Sequence, residues 1–384
     1  MTEPAAVSPV CISVMEARKR DMKKKIQIII GMIIGVVLLW YLFKDTDWAE
    51  VWQILRGARL DWLLLALLIV ILSFFMRVWR WGYIVNPVVP VPFWRLFTAT
   101  QIGFLANFVL PARAGEVIRA LALTRSRNIP FGKTMAFVAV DRVTDLFGLF
   151  VVFLVTLIVF RPAQDVYLPE DLRSLYAGPI SGGMIRGAVF SVTAAFVAIV
   201  TTMILLLAQR DLILRISDAV LGRVSQRLAL FARNLFEHFT EGMHVLTSYM
   251  DLARATAVSL LLWGSFALVQ VCAYKAFELD VPWYTPFVIL SLLSVFISVP
   301  GPPGFIGPFH AGVVGGLILA NPDVNMNAAR AIAIIGHLFN LLPVVIIGVI
   351  CLSFERIELR ELSRQSEAIE EAADEDATAN TQNE

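Results

Sequence analysis

Residues 107–119 read N-F-V-L-P-A-R-A-G-E-V-I-R, and the fold of the chain turns on how this stretch is read. An apolar run, Phe93 to Leu110, leads into it, and a longer one starts near Phe131. Between them stand Arg113, Glu116 and Arg119, three residues apart, after Pro111 and Ala112. Pro111 predicts a helix start, because the first turn needs no backbone donor there. On such a helix the three charges share a face. A plus-minus-plus ladder beside apolar segments is costly unless its charges pair or meet water. The next apolar run carries Asp141, Arg142 and Asp145. The two aspartates share a helix face, and Arg142 is turned away by roughly 100°. Two readings follow: a cytoplasmic loop and helix-end cluster anchored at the headgroups, or a polar site for a charged headgroup at the membrane edge. Each charge near hydrocarbon costs roughly 2.5–3.5 kcal/mol, less when partnered. The six are therefore expected to meet in one site in the inner-leaflet half of the bundle.

The chain around this stretch is 58% hydrophobic and only 16% charged over 384 residues, with a mean hydropathy of +0.73. Soluble domains lie near about 45–50% and about 25%. The fold class is therefore all-α, a polytopic membrane helix bundle of about 6–8 spans with re-entrant or broken helices. A net charge of +1 gives no ground for a nucleic-acid partner. Cys11, Cys272 and Cys351 have no spacing that implies a metal site or a disulfide framework, and no cofactor is expected.

Residues 1–25 form a tail that is basic from Arg18 to Lys25 and should stay cytoplasmic. The domain expected after it runs over residues 26–353. Ile26 to Phe43 is a span rather than a cleaved leader, since no small-residue cleavage site follows it. Lys44 to Leu60 is extracytoplasmic, with Trp48, Val51, Trp52 and Leu55 on one face of a short helix. The span from Trp62 to about Trp81 ends in a cationic-aromatic rim: Arg77, Trp79, Arg80 and Trp81. Such a rim either anchors at the headgroups or contacts lipid phosphate. Positive charge flanks Phe93 to Leu110 on both sides, so a re-entrant or interfacial hairpin is expected there. Phe131 to Phe160 crosses, Arg161 to Gly183 is an outer loop, and Ile185 to Ala208 returns.

Residues 209–251 alternate apolar residues at three- and four-residue steps with five arginines. They read as a basic amphipathic helix or helix pair on the inner leaflet, or as a solvated linker. Ala253 to about Phe277 crosses outward. Pro286 to Val299 and Phe305 to Ala320 are broken by Pro300-Gly-Pro-Pro-Gly304. They are two compact spans or a pair of half-helices. Ala328 to Ser353 is the last span, and residues 354–384 are a cytoplasmic tail, acidic and disordered at its end. The pieces F-L-A-N-F-V-L-P-A-R-A-G and F-I-S-V-P-G-P-P-G-F-I-G echo each other. By the charge rule they enter from opposite sides, as inverted repeats with broken helices do. Chance is the alternative, given how common Gly and Pro are in membrane helices.

In order and spacing, L-P-A-R-A-G-E-V-I-R (110–119), V-D-R-V-T-D (140–145) and P-G-P-P-G-F-I-G-P-F-H (300–310) resemble the transmembrane-domain family of lysylphosphatidylglycerol synthases. The resemblance runs from about Ile26 to Ser353. In bifunctional members this domain flips aminoacylated lipid and a soluble aminoacyltransferase domain follows. Here a short tail follows, so the resemblance implies a stand-alone flippase-like protein of a bacterial inner membrane, both termini cytoplasmic. It further implies a chain that is not an enzyme and works beside a lipid-modifying enzyme as partner. Family members carry an acidic residue near His310, which is a departure.

Two functions compete. The first is a lipid transporter for an anionic or phosphate-bearing lipid. Arg77, Arg80, Arg113, Arg119 and Arg142 would take the phosphate, while Glu116, Asp141 and Asp145 hold them or face a cationic group. Gly301 and Gly304, with a half-helix N-terminus at Phe305, would bind anionic oxygen. His310 and Asn340 complete the candidate substrate-binding set, and no catalytic or metal residue is assigned. Losing Glu116 or Asp145 is expected to destabilise the fold, because an arginine loses its partner. The second function is a polyprenyl-phosphate-dependent membrane glycosyltransferase. Its hint is Asp45-Thr-Asp47, an acidic pair that can hold a metal or make an ordinary turn and cap. No G-x-x-x-x-G-K-[ST] pattern occurs, which argues against ATP-driven pumping by this chain.

Overall fold

The structure is a computed structural model that describes residues 30–110, 114–160, 167, 178–208, 248–298, 302–355 and 365. The basic N-terminal tail, most of the 161–183 loop, residues 209–247 and the acidic tail lie outside the described residues. Helices in chain order are α1 (Ile30–Phe43), α2 (Trp48–Gly57), α3 (Leu60–Val85), α4 (Phe93–Val109), α5 (Gly115–Arg127) and α6 (Phe131–Val159). Then come α7 (Gly182–Ala208), α8 (Tyr249–Ala276), α9 (Thr285–Ser298), a 3-10 turn Pro303–Phe305, α10 (Pro308–Ala320) and α11 (Met326–Glu355). The last three residues of the expected amphipathic segment, 249–251, thus belong to α8.

Among the described residues five segments are long and apolar enough to cross a membrane: α3, α6, α8, Pro303–Ala320 and α11. Their faces confirm the environment. On α3, Ala66, Val70, Phe74 and Val78 are buried, while Leu64, Leu68 and Leu72 on the other face are half or more exposed. A four-residue step sorts both stripes on a 3.6-residue helix. Apolar residues stand on both faces because the outer one meets lipid, not water. The protein is an integral membrane protein.

The frame is set by α3 and α8, packed antiparallel. Arg59 N–H donates to the Ala276 carbonyl at one end (2.8 Å), Arg80 Nη1 donates to Ser259 Oγ (3.1 Å), and the Arg254 guanidinium lies 5.9 Å from the Tyr83 ring towards the other. From the end where α3 stops, α4 and α5 go in and come back as a hairpin. From the opposite end, where α8 stops, α9 and α10 do the same. The two tips meet, with Phe108 and Phe305 edge to face at 5.3 Å. The echo between the two Pro/Gly stretches therefore corresponds to two opposed hairpins.

Small residues set both hairpins. A Cβ on Gly103 would lie 2.7 Å from Arg119 Cβ and 2.8 Å from the Gly115 carbonyl oxygen. A Cβ on Gly312 or Gly316 would lie 2.5 or 2.6 Å from Leu293 Cα or Ile289 Cα. In the second reversal Gly304 (φ 71) and Gly307 (φ 96) occupy left-handed backbone that costs glycine little.

Two helix starts differ from expectation. The second helix of the first hairpin starts at Gly115, not Pro111, with Ala114 as its N-cap, and Pro111, Ala112 and Arg113 lie outside the described residues. Asn107 sets this start, its Oδ1 accepting the Gly115 N–H at 2.9 Å. In the second hairpin the helix proper starts at Pro308. Phe305 N–H is not a free helix-end donor, since it donates to the Pro302 carbonyl (3.2 Å).

Asp47 caps α2, accepting from Ala49 and Glu50 N–H at 2.9 and 3.1 Å, so the turn-and-cap reading of Asp45–Asp47 holds. Buried Arg330 on α11 then locks this corner, donating to the Leu42 carbonyl (2.7 Å) and Asn327 Oδ1 (3.1 Å). Arg330→Ala is expected to lower stability by about 2 kcal/mol or more, since hydrogen bonds from a buried charged group are lost. Denaturation of the purified protein in detergent measures this, and a loss within about 0.5 kcal/mol would show the corner to be held by packing alone.

Candidate functional site

Where α3, α5 and α6 converge beside α8, six helix positions bring ionic groups into contact. Asp141 is the hub. Its Oδ1 accepts from Arg80 Nε at 2.9 Å, and its Oδ2 accepts from Arg119 Nη1 at 2.7 Å and from Arg142 Nη2 at 3.2 Å. Arg80 also reaches Asp145 Oδ1 at 2.7 Å. Arg142 Nη1 lies 3.6 Å from Glu116 and 3.5 Å from Asp145. Arg80, Arg119 and Asp141 are 1%, 2% and 1% exposed, so they are protein-enclosed, whereas Arg142 is 35% exposed and forms the open rim. Asp141 lies ten residues into α6, about 15 Å along its axis.

Aromatic rings complete the setting. Arg119 stacks on Trp81 at 3.7 Å, and Arg77 lies 5.1 Å from Phe104 and 5.0 Å from Phe266. Arg77 has no carboxylate within ion-pair distance among the described residues. Among the described residues four guanidiniums thus face three carboxylates, leaving one positive charge over. Glu116 Oε2 and the Nε atoms of Arg119 and Arg142 are buried and have no hydrogen-bond partner among the described residues.

Of the residues singled out from sequence, Arg80, Glu116, Arg119, Asp141, Arg142 and Asp145 come together here, with Arg77 one turn away. Arg113 and Gly301 lie outside the described residues. The expected rim splits in two. Arg77, Arg80 and Trp81 share the inward face at steps of three and four, while Trp79, 62% exposed, faces out. His310 and Gly304 belong to the second hairpin instead. Asn340 is not part of the ionic site: its Nδ2 donates to the Gly336 carbonyl of its own helix (2.9 Å).

Ser259 and Trp263 were missed. Ser259 accepts from Arg80, and Trp263 Nε1 donates to the Asp145 carbonyl at 3.1 Å. Nothing marks them in an apolar helix except their four-residue spacing, which puts both on one face.

Opposed helical hairpins around a buried ionic cluster define an integral membrane protein built to hold charge inside its bundle. The sequence matches the family described as lysylphosphatidylglycerol synthase TM region over residues 28–348, and the chain belongs to that family. It is also 24% identical over 339 residues to glycosyltransferase AglD of Haloferax volcanii, covering 82% of this chain and 52% of that protein. The chain therefore spans about half the length of the curated relative it matches. That relative's name overturns the expectation that the chain is not an enzyme.

Proposed function

We propose that the bundle binds an anionic, phosphate-bearing lipid at the arginine cluster and moves its headgroup between leaflets. The observation that carries this reading is the surplus of guanidiniums over carboxylates among the described residues, about a third of the way along α6, with Arg142 at its open rim. Buried charge is expensive, and an unbalanced cluster is retained where an ionic partner completes it. Guanidinium matches phosphate through paired N–H donors. Arg77 has no carboxylate within ion-pair distance among the described residues, and Arg142 is far more exposed than Arg80 or Arg119, so these two are the ones placed to take phosphate. The opposed hairpins let the headgroup travel along protein while its chains stay in the bilayer. By the positive-inside rule, the end of the bundle where α4 begins faces the cytoplasm.

A second reading is glycosyl transfer using a polyprenyl-phosphate lipid, and the glycosyltransferase relative favours it. Both readings place a lipid phosphate on the same arginines. Reconstitution in vesicles carrying labelled phospholipid or polyprenyl phosphate tests them together. Arg142→Gln and Arg77→Gln are each expected to slow lipid movement by about 10-fold to 100-fold, the worth of one hydrogen bond to a charged group. Folding should persist, because Asp141 keeps Arg80 and Arg119 when Arg142 at the exposed side is replaced, and Arg77 holds no ion pair among the described residues. Undiminished movement in both variants would end the role assigned to these arginines. Sugar transfer to the polyprenyl phosphate by the same vesicles would favour the second reading.

A further inference from the structure

A second pair of titratable side chains is buried away from the arginines. His310, on the first turn of α10, and His337, on α11, are 7% and 6% exposed, with ring centroids 4.8 Å apart. His337 Nε2 donates to the Gly304 carbonyl at 2.7 Å, which ties α11 to the broken stretch of the second hairpin. Donation from Nε2 leaves Nδ1 of a neutral His337 as an open acceptor. His310 Nδ1 is buried with no hydrogen-bond partner among the described residues. Around the pair stand Phe43 and Phe309, at 5.7 Å from His310 and 5.1 Å from His337.

The other ionisable groups on the surrounding elements are engaged elsewhere or uncharged. Lys44 lies over the rings of Trp40 and Tyr41 and near Asp45. Glu50 of α2 is held by Asn325 and Asn327. Arg330 of α11 is turned to the Leu42 carbonyl, and α8 brings the buried hydroxyl of Tyr274. Neither α9 nor the rest of α10 brings a titratable side chain. No carboxylate reaches either imidazole among the described residues.

We propose that His310 and His337 form a proton-binding site at the break of the second hairpin, which on uptake of one proton becomes the station for an anionic headgroup in this half of the bundle. Two apolar side chains would fill the space at lower cost than two imidazoles with open nitrogens. Two imidazolium ions at this separation repel strongly in a low-dielectric setting, so the pair takes one proton rather than two. The arginine cluster carries fixed positive charge, whereas this pair carries it only when protonated. Aromatic rings stand beside both centres. Phe104 meets Arg77, Phe108 lies one turn on and touches Phe305, and Phe309 touches His337. The coupling to headgroup movement rests on the transport reading above; the proton site itself does not.

The test is a titration of the full chain in lipid nanodiscs, following 15N-histidine resonances from about pH 4.5 to about pH 8.5, the range in which imidazole changes charge. The chain has four histidines, and His310→Gln and His337→Gln assign the two of interest. The expected result is one proton shared by both resonances, each moving through only part of a full protonation, while the remaining histidine of either variant moves through the whole of it. Independent titration of the two, or no titration of either in that range, overturns the proton site. Should either variant fail to fold, His238→Gln and His244→Gln assign the pair by elimination. In vesicles, wild-type lipid movement is expected to rise about tenfold per unit fall in pH above the midpoint and to level off below it, and the double variant with both His310→Gln and His337→Gln to be flat within about twofold. A titrating pair with pH-independent movement overturns the coupling. A titrating pair in a chain that moves no lipid at any pH supports the proton site and sinks the transport reading instead.

Discussion

Asp141→Asn is expected to destabilise the protein by about 3–5 kcal/mol, the cost of removing one partner from a buried ion pair. The substitution keeps the shape and deletes the charge. Arg80 and Arg119, both almost fully enclosed, then face an amide that cannot neutralise either. Arg80 retains Asp145, but Arg119 has no other carboxylate within ion-pair distance among the described residues. Asp145→Asn and Glu116→Gln should cost less, since Arg142 draws on three carboxylates and keeps two of them in either variant. The sequence marks Glu116 and Asp145 as acids whose loss destabilises the fold; the structure adds Asp141, which holds both enclosed arginines. Denaturation in detergent or nanodiscs measures all three. A cost for Asp141→Asn of about 1 kcal/mol or less would mean that water or lipid, rather than this carboxylate, carries the arginines.

Gly115→Ala should be nearly as disruptive. A Cβ there collides with the Gly103 carbonyl oxygen and with the Asn107 side chain, and neither is a flexible chain end. Asn107 is fixed because it accepts the Gly115 N–H, and Gly103 is helix backbone. The two arms of the first hairpin must separate, at about 1–3 kcal/mol for an overpacked contact. The shift also carries Glu116 and Arg119 away from α6. Lipid movement should therefore fall with stability. Gly264→Ala, on α8 with nothing within 4 Å of the added carbon, is the control and should be neutral or slightly stabilising through helix propensity. Equal stability of the two variants would show that the hairpin tolerates a wider crossing.

Much of this was written locally. Apolar runs and their punctuation fixed the helical class and placed most helices to within a few residues, because periodicity and turn residues act over a few positions. The charged residues near Pro111 and at Asp141–Asp145 stood out, because charge beside hydrocarbon is too costly to be incidental. Tertiary structure alone decided which charge meets which. Spacing puts Asp141 and Asp145 on one face of α6, but not against Arg80 of a helix sixty residues earlier or Ser259 of one more than a hundred later. The start of α5 moved to Gly115 because Asn107 and the Gly103 crossing hold it there, a contact no local propensity encodes. Trp81 looked like an interfacial anchor and lies buried under Arg119, since only packing tells an inward aromatic from an outward one. His310 and His337, twenty-seven positions apart, face each other because the second hairpin folds back on α11. A sequence read in windows sees each histidine alone.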